Sequence, residues 1–394
     1  MGRRPVLMGA LFLTGVSGIG AAFSPSFTVF VAFRFLIAMG AATAVSVSFC
    51  LVTEVIGTNV RSTVCTVLGF NWTFGALILA GLAWLLRDWF YLQLAMSILC
   101  FPSVLACWFL PESPRWLLTH GYLERAEEVI HKAASLNGIA VRHIHDAIKK
   151  IKEVSDIEKQ TMAKKMVNIL DLVKTPAMRK RSLIMFGVWF VDSCVFYAIA
   201  LGTTDLGGNP FVNFSAVAVV DFPAGVACIF ILRHFGRRTP IMASLMTVAL
   251  ACLISAALPE DPNWIRILLA MLGKCGIYSA FLITYVWTAE LFPTVIRSLG
   301  LSTSSMSARL GSITSPFLGH LGKLTHRSVP FVVCGSLPLV VGVTVLFLPE
   351  CHHHMMDTIE EVEGHRNDIE NSSYPPPVMK NEIEEVDPLT VQML

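Results

Sequence analysis

Residues 27–49 read FTVFVAFRFLIAMGAATAVSVSF, and Arg34 is the single charged residue in this run. A helix needs about 20 apolar residues to cross the hydrocarbon core of a bilayer, where each backbone polar group must pair within the segment. The run therefore predicts a transmembrane helix. Nine other segments have the same character, and the ten predicted spans are residues 5–23, 27–49, 63–86, 90–110, 182–201, 211–232, 239–258, 264–287, 298–320 and 330–348.

The composition of the whole chain agrees with these spans. Hydrophobic residues make up 54% of the 394 residues and charged residues 15%, whereas about 25% of an average soluble domain is charged. We therefore predict an all-α protein that crosses the membrane several times. The polar remainder is too short for a separate catalytic domain, and no phosphate-binding loop occurs. We expect no enzymatic activity, no cofactor and no metal site, although residues 351–354 read CHHH.

The basic residues predict the orientation of the spans. The polar stretch from residue 111 to 181 carries 14 Lys or Arg, whereas the connections at 24–26 and 202–210 carry none. The central stretch and the C-terminal tail are thus expected in the cytosol. Helical periodicity within the stretch predicts amphipathic helices at residues 122–135 and 141–157.

Four regions follow from this division. Residues 1–110 are predicted to form a bundle of four transmembrane helices, and residues 182–349 a bundle of six. Between them, residues 111–181 form the cytosolic loop. The tail at residues 350–394 has eleven acidic and two basic residues and contains PPP at 375–377, which predicts disorder.

The two bundles share a sequence repeat. Gly2-Arg3-Arg4 recurs as Gly236-Arg237-Arg238, and the pair Glu54 and Arg61 recurs as Glu290 and Arg297 with the same separation. FLPE at 109–112 recurs at 347–350. Three matches in order at a nearly constant offset indicate a duplicated unit, and six-helix parallel repeats build the two halves of known transporters.

The repeat also predicts a gap in the first bundle. Two spans precede Gly236 in the second bundle, whereas none precedes Gly2 in the first. We therefore expect that the chain carries ten of twelve helices, either because the gene model starts late or because the chain is a shortened isoform.

These motifs resemble the major facilitator superfamily, and more narrowly its organic cation/anion/carnitine transporter family, which is solute carrier family 22. The resemblance extends from about residue 2 to 363. Its most specific motifs are RFLIAMG at 34–40, PESPRW at 111–116, VDFPA at 220–224, TAELFPT at 288–294, RLGSI at 309–313 and DTIEEV at 357–362.

The resemblance implies a carrier of small organic ions or zwitterions in the plasma membrane, working by alternating access. It also implies that charged residues at the cytosolic ends of the helices control which side of the membrane is open. The residues that match these motifs are Gly2, Arg3, Arg4, Glu54, Arg61, Glu112, Arg115, Gly236, Arg237, Arg238, Glu290 and Arg297.

Four charged residues lie near the centres of predicted spans, where a charge costs roughly 2.5–3.5 kcal/mol unless it faces a partner or a cavity. They are Asp192, Asp221, Lys274 and Arg309. Arg309 lies on a polar stripe with serines at 302, 305 and 312. At its position the resemblance implies Arg in anion and carnitine carriers and Asp in organic cation carriers. We predict that Arg309 contacts a substrate carboxylate, and the alternative is a structural pairing with Asp221 or Asp192.

Aromatic residues on the same spans form a second group of predicted substrate contacts. Trp189 and Phe196 share a helix face with Asp192, and Tyr278 and Tyr285 are seven residues apart. Such rings can hold an ammonium group, although they also serve helix packing.

Two other functions are compatible with the sequence. A sugar or polyol porter shares the Gly-Arg-Arg and PESPR motifs, but the midplane charges disfavour it. A non-transporting regulatory membrane protein is compatible with the missing helices. The coupling ion is left open, since uniport, exchange and ion coupling are all compatible with these motifs.

Overall fold

The computed structural model describes residues 2–56, 58–136, 171–202, 209–258, 263–293, 296–326 and 328–349. Within these ranges the chain is helical and has no β-strand, which confirms the predicted all-α class. The described residues group into two compact units, a first unit of residues 2–68 and 81–136 and a second unit of residues 69–80 and 171–349. The tail and the predicted helix at 141–157 lie outside the described residues.

The helices follow each other closely along the chain. The first seven are α1 (Arg3–Ala22), α2 (Phe27–Val55), α3 (Thr58–Leu85), α4 (Trp89–Ile98), α5 (Cys100–Trp108), α6 (Pro114–Thr119) and α7 (Leu123–Leu136). The remaining eight are α8 (Asp171–Lys174), α9 (Pro176–Gly202), α10 (Pro210–Val219), α11 (Asp221–His234), α12 (Arg238–Ala257), α13 (Asn263–Leu291), α14 (Arg297–Leu324) and α15 (Val329–Val345).

All ten predicted spans are helical. Eight helical segments are long and apolar enough to cross a membrane by length and hydropathy. The other two predicted spans lie in α14, which carries the polar stripe, and in α15, an apolar helix of 17 residues. The amphipathic helix predicted at 122–135 is α7, shifted by one residue.

Proline breaks two of the spans into paired helices. Pro102 and Pro223 have no N–H to offer the carbonyl four residues earlier, and α4 and α10 end at those positions, Ile98 and Val219. The break before Pro223 places Asp221 at the start of α11. Asp221 therefore lies at an interruption of its span, where backbone groups are accessible to side chains.

In the first unit, α1 packs closely on α2. A side chain at Gly40 would lie 2.8 Å from the carbonyl oxygen of Ala10, so the small residue permits the approach of the two backbones. The opposite face of α2 carries exposed Phe27, Phe35 and Val45. An apolar exposed face of this kind is what a helix presents to lipid.

In the second unit, the core lies among α9, α12, α13, α14 and α15. The largest fully buried side chains in this core are Trp189, Trp287, Met185, Ile241, Leu245 and Ile277. Helices α9 and α14 make the closest approach, because Gly311 of α14 lies against the backbone of Phe190 and Cys194 in α9. This packing fixes the position of α14 and of the polar residues it carries.

Candidate functional site

The charged motif of the first unit assembles at the N-terminus of α1. The Glu112 carboxylate accepts hydrogen bonds from the backbone N–H groups of Arg3 (2.8 Å) and Arg4 (3.2 Å). Gly2 lies directly against this carboxylate, which would overlap a side chain at that position. Glu112 thus caps α1, and its charge is favourable beside the positive end of the helix dipole.

The side chains of the two arginines contact different groups. Arg3 donates to the Glu54 carboxylate from Nε (3.2 Å) and from Nη2 (2.7 Å). Arg4 donates from Nη2 to the carbonyl oxygen of Trp108 at 2.5 Å. The motif therefore joins the ends of α1, α2 and α5 within the first unit.

The repeated motif in the second unit forms the equivalent ion pair. Arg237 donates to both oxygens of Glu290, from Nε at 2.9 Å and from Nη2 at 3.0 Å, and to the carbonyl oxygen of Leu232 at 3.0 Å. Gly236 and Arg238 flank it between α11 and α12. The arginine after the glycine of each repeat thus pairs with the glutamate of the same repeat.

Three other residues of these motifs cannot be placed. The side chains of Arg61, Arg115 and Arg297 lie outside the described residues. Their predicted contribution to the charged motifs stays a prediction.

Lys274 and Asp221 form a buried pair in the second unit. The distance between Lys274 Nζ and Asp221 Oδ2 is 4.0 Å, and both side chains are almost fully buried. Lys274 Nζ also lies 3.0 Å from the centroid of the Phe196 ring, a cation–π arrangement. The ammonium group is therefore held between a carboxylate and an aromatic face.

Tyr278 is a neighbour of the Lys274 and Asp221 pair. The hydroxyl groups of Tyr278 and Thr73 lie near the Asp221 carboxylate. Neither hydroxyl group forms a hydrogen bond, and Asp221 Oδ1 accepts none. Tyr278 faces the Lys274 and Asp221 pair, whereas Tyr285 packs against Trp189. The predicted contact of each tyrosine with substrate stays a prediction.

Asp192 has a different environment. It is 0% exposed, and its Oδ2 accepts a hydrogen bond from Thr284 Oγ1 at 2.7 Å. Thr288 donates to the carbonyl oxygen of Thr284 at 2.5 Å and accepts from Trp189 Nε1 at 2.9 Å. Two threonines one turn apart on α13 thus connect two of the predicted site residues of α9.

The aromatic residues form a connected group around Trp189. Its ring contacts those of Tyr285 and Phe281, with centroid distances of 4.4 Å and 5.7 Å. Phe281 also lies 6.0 Å from Phe196, which extends the group toward Lys274. Trp72 lies at its edge, 5.9 Å from the Phe196 ring, and is 52% exposed.

Arg309 is exposed on α14, close enough to Tyr197 and Tyr285 for its charge to act on both phenol groups. Among the described residues it forms no ion pair with Asp221 or Asp192, so the structural pairing is not seen. Gly311 and Ser307 position it, because Ser307 donates to the carbonyl oxygen of Phe186 in α9 at 2.8 Å. The guanidinium group is thus exposed and within electrostatic range of two half-buried phenol groups.

The structure adds residues that sequence reasoning missed. Thr284 and Thr288 supply the hydroxyl groups next to Asp192 and Trp189, and Phe281 and Trp72 complete the aromatic group. A signal existed for the threonines, because residues 281, 284, 285 and 288 share one helix face by their spacing. Trp72 gave no signal, since it belongs to another span.

Comparison with known proteins agrees with this architecture. The family model described as "Sugar (and other) transporter" matches residues 1–362. An organic cation transporter protein of Drosophila melanogaster is 33% identical over 92% of the chain and 67% of its own length. Solute carrier family 22 member 3 of Mus musculus is 35% identical, and the match covers 92% of the chain and 64% of the mouse protein. Organic anion transporter 3 of Homo sapiens is 33% identical, with 92% and 67% covered.

Solved structures give the same fold. The major facilitator superfamily proton:xylose symporter XylE bound to 6-bromo-6-deoxy-D-glucose superposes with a TM-score of 0.70 at 19% identity, covering 92% of the chain and 83% of the symporter. The inward open conformation of XylE from E. coli gives a TM-score of 0.72, with 92% and 82% covered.

The chain spans about two thirds of the length of the curated relatives it matches, 67% and 64% for the fly and mouse proteins. The relatives include both cation and anion transporters by name. The family match and these identities show that the chain belongs to the sugar (and other) transporter family of the major facilitator superfamily, among the solute carrier family 22 proteins.

Proposed function

We propose that this protein carries small organic ions or zwitterions across the plasma membrane by alternating access. The observation that carries the proposal is the exposed Arg309 guanidinium on α14, within electrostatic range of the phenol groups of Tyr197 and Tyr285. A sugar or polyol porter has no use for a charged group at this position. Relatives with organic ion transporter names cover most of the chain, which supports the same choice.

The arrangement suits a substrate that carries a carboxylate. A guanidinium group offers paired donors that match the two oxygens of a carboxylate. An ammonium group on the same substrate would contact aromatic faces, and Trp72, Tyr197, Phe281 and Tyr285 are at least partly exposed. A zwitterion satisfies both parts, whereas a simple cation meets a repulsive arginine.

The other predicted substrate contacts are buried in this conformation. Asp221 is occupied by Lys274, whose ammonium group also faces Phe196. Asp192 and Trp189 have almost no exposed surface. Direct contact of these residues with substrate therefore needs another conformation of the carrier, and it stays a prediction.

The repeated ion pairs supply the switch between conformations in this proposal. A ligand or a contact shifts a two-state equilibrium only by its difference in free energy between the states. The pairs Arg3 with Glu54 and Arg237 with Glu290 are only partly exposed. They would stabilise one state and separate in the other.

The proposed orientation places the loop at residues 111–181 and the C-terminus in the cytosol. Protease added to sealed, right-side-out cells should spare both, because neither is reachable from outside. A tag after Leu394 and an antibody against residues 149–165 would report the fragments, and permeabilised cells provide the control for protease activity. Cleavage within residues 149–165 in sealed cells would contradict this topology.

The experiment that tests the transport function uses Arg309. In cells that express the full chain, Arg309→Ala should lower uptake of a carboxylate-bearing substrate such as carnitine by roughly 10- to 100-fold, since a hydrogen bond to a charged group contributes about 1.5–3 kcal/mol. Arg309→Asp should lower it further and raise uptake of a simple organic cation. Radiolabelled uptake, normalised to surface protein, measures both.

Lys323 provides the matched control, because it is an exposed basic residue in the last turn of the same helix. Lys323→Ala removes one positive charge from α14 and should leave the uptake ratio of zwitterion to cation unchanged. Normal zwitterion uptake by well-expressed Arg309→Ala would overturn the assignment of Arg309 as a substrate contact.

A further inference from the structure

Asp192 is a buried carboxylate without a cationic partner. Of the two carboxylates that are buried in the described residues, Asp221 has Lys274 at 4.0 Å. No Lys, Arg or His nitrogen of the described residues lies within 4.0 Å of Asp192. Its Oδ2 has the Thr284 hydroxyl, and its Oδ1 has no hydrogen-bond partner.

The other hydrogen-bond donors near Asp192 donate to other acceptors. The Thr288 hydroxyl donates to the Thr284 carbonyl, and Trp189 Nε1 donates to Thr288. A single hydroxyl donor does not compensate the loss of water around an ionised carboxylate, which costs several kcal/mol or more. The group must therefore be neutral or hold a cation.

The titratable groups around Asp192 do not supply that cation. Helix α13 contributes Tyr285 and Lys274, and the Lys274 ammonium group lies 4.0 Å from Asp221 and against Phe196. Helix α14 contributes Arg309, which is within electrostatic range of the phenols of Tyr197 and Tyr285. On α9 itself Cys194 follows two residues after Asp192, and Cys334 of α15 lies in the same apolar core, so neither thiol supplies a positive charge. Asp192 thus has no cation beside it among the described residues, whereas Thr284, Thr288 and Trp189 connect it to Tyr285, whose phenol is within electrostatic range of Arg309.

We propose that Asp192 is a proton-binding site that couples transport to a proton gradient. The proton forms an O–H bond on Oδ1, the oxygen with no other partner, and changes the carboxylate from charge −1 to neutral. The same bond breaks when the site opens to the other side and water receives the proton. Coupling to a substrate rests on the proposed transport function, whereas proton binding itself does not.

Proton binding is measured without any substrate. Infrared difference spectra of the purified full chain in lipid, recorded between acidic and alkaline pH, should contain the C=O stretching band of a buried protonated carboxylic acid, at a higher frequency than the bands of the exposed acids. Asp192→Asn should remove this band. Glu290→Gln should retain it, because Glu290 is partly exposed at the end of α13 and is not the buried carboxylate to which the band is assigned.

A second variant covers the case in which Asp192→Asn does not fold. Thr284→Val removes the donor to Oδ2 while the proton on Oδ1 stays, so the band should persist at a shifted frequency. A wild-type spectrum without the band, a band retained in Asp192→Asn, or an unshifted band in folded Thr284→Val would each overturn the proposal. Loss of the band on addition of Na⁺ at constant pH would instead identify a sodium site and overturn the proton assignment.

The coupling is tested in proteoliposomes that contain carnitine as the probe. A tenfold proton gradient directed inward can support up to about tenfold accumulation if one proton accompanies each substrate. Wild type should accumulate carnitine under this gradient, whereas Asp192→Asn should equilibrate it without accumulation. Accumulation by Asp192→Asn equal to wild type would overturn the coupling. If wild type moves no carnitine while the infrared band is present, the proposed transport function fails and proton binding stands.

Discussion

Gly311→Ala is expected to destabilise the second unit severely and to lower the amount of folded protein at the cell surface. The new methyl group would overlap the carbonyl oxygen of Phe190 and lie 3.1 Å from the backbone nitrogen of Cys194. Both are backbone atoms of α9, so no side chain can rotate to make room. Overpacking of this kind costs about 1–3 kcal/mol or more, and it would also displace Arg309, two residues away.

Gly319→Ala is the matched control, because it makes the same change in the same helix. No atom lies within 4 Å of a methyl group at that position, and alanine favours a helix over glycine by about 1 kcal/mol. The melting temperature in detergent should fall clearly for Gly311→Ala and stay equal or rise for Gly319→Ala. Equal melting temperatures for both variants would show that α9 and α14 are not in such close contact.

Lys274→Met is the second change with a large expected effect. It leaves Asp221 buried with no cation, and removal of one partner from a buried ion pair typically costs about 3–5 kcal/mol. The melting temperature and the yield of monodisperse protein should both fall. The loss of the cation–π contact with Phe196 adds to the effect.

A double variant separates the pair from the packing of the lysine stem. Lys274→Met combined with Asp221→Asn removes both charges, so most of the lost stability should return. If the double variant is as unstable as Lys274→Met alone, the charge of Asp221 is not the cause and the pair has no structural role.

The transmembrane architecture was predictable because each span is a long and predominantly apolar run. The repeat also gave the equivalence of Arg3 with Arg237 and of Glu54 with Glu290, and the structure pairs them in the same way. The helix breaks at Ile98 and Val219 were missed, although Pro102 and Pro223 marked them, since apolar residues continue through both positions. Hydropathy alone therefore locates a span but does not reveal where the helix within it is interrupted.

The partners of the midplane charges were less predictable. Which cation meets which carboxylate depends on how each helix is rotated about its axis, and the sequence left Arg309 with either Asp221 or Asp192 as a possible partner. The role of Thr284 was hidden for another reason. Hydroxyl groups in membrane helices commonly bond to their own backbone, as Thr247 and Thr314 do here, so a threonine that turns to a neighbouring helix has no distinct pattern.

The cap of Glu112 on α1 has a consequence for synthesis of the protein. Glu112 is 109 residues beyond Arg3, and its carboxylate accepts a hydrogen bond from the backbone N–H of Arg3. At about 5–20 residues per second, a ribosome needs roughly 5–20 s to add it after Arg3 has been made. During that interval the start of α1 is uncapped, while α2 to α5 enter the bilayer. Helix α1 can thus be inserted before its N-terminal end is capped, and the cap forms only when the span built from α4 and α5 is finished. A translational pause between them would prolong the exposure of this uncapped end to quality-control proteases.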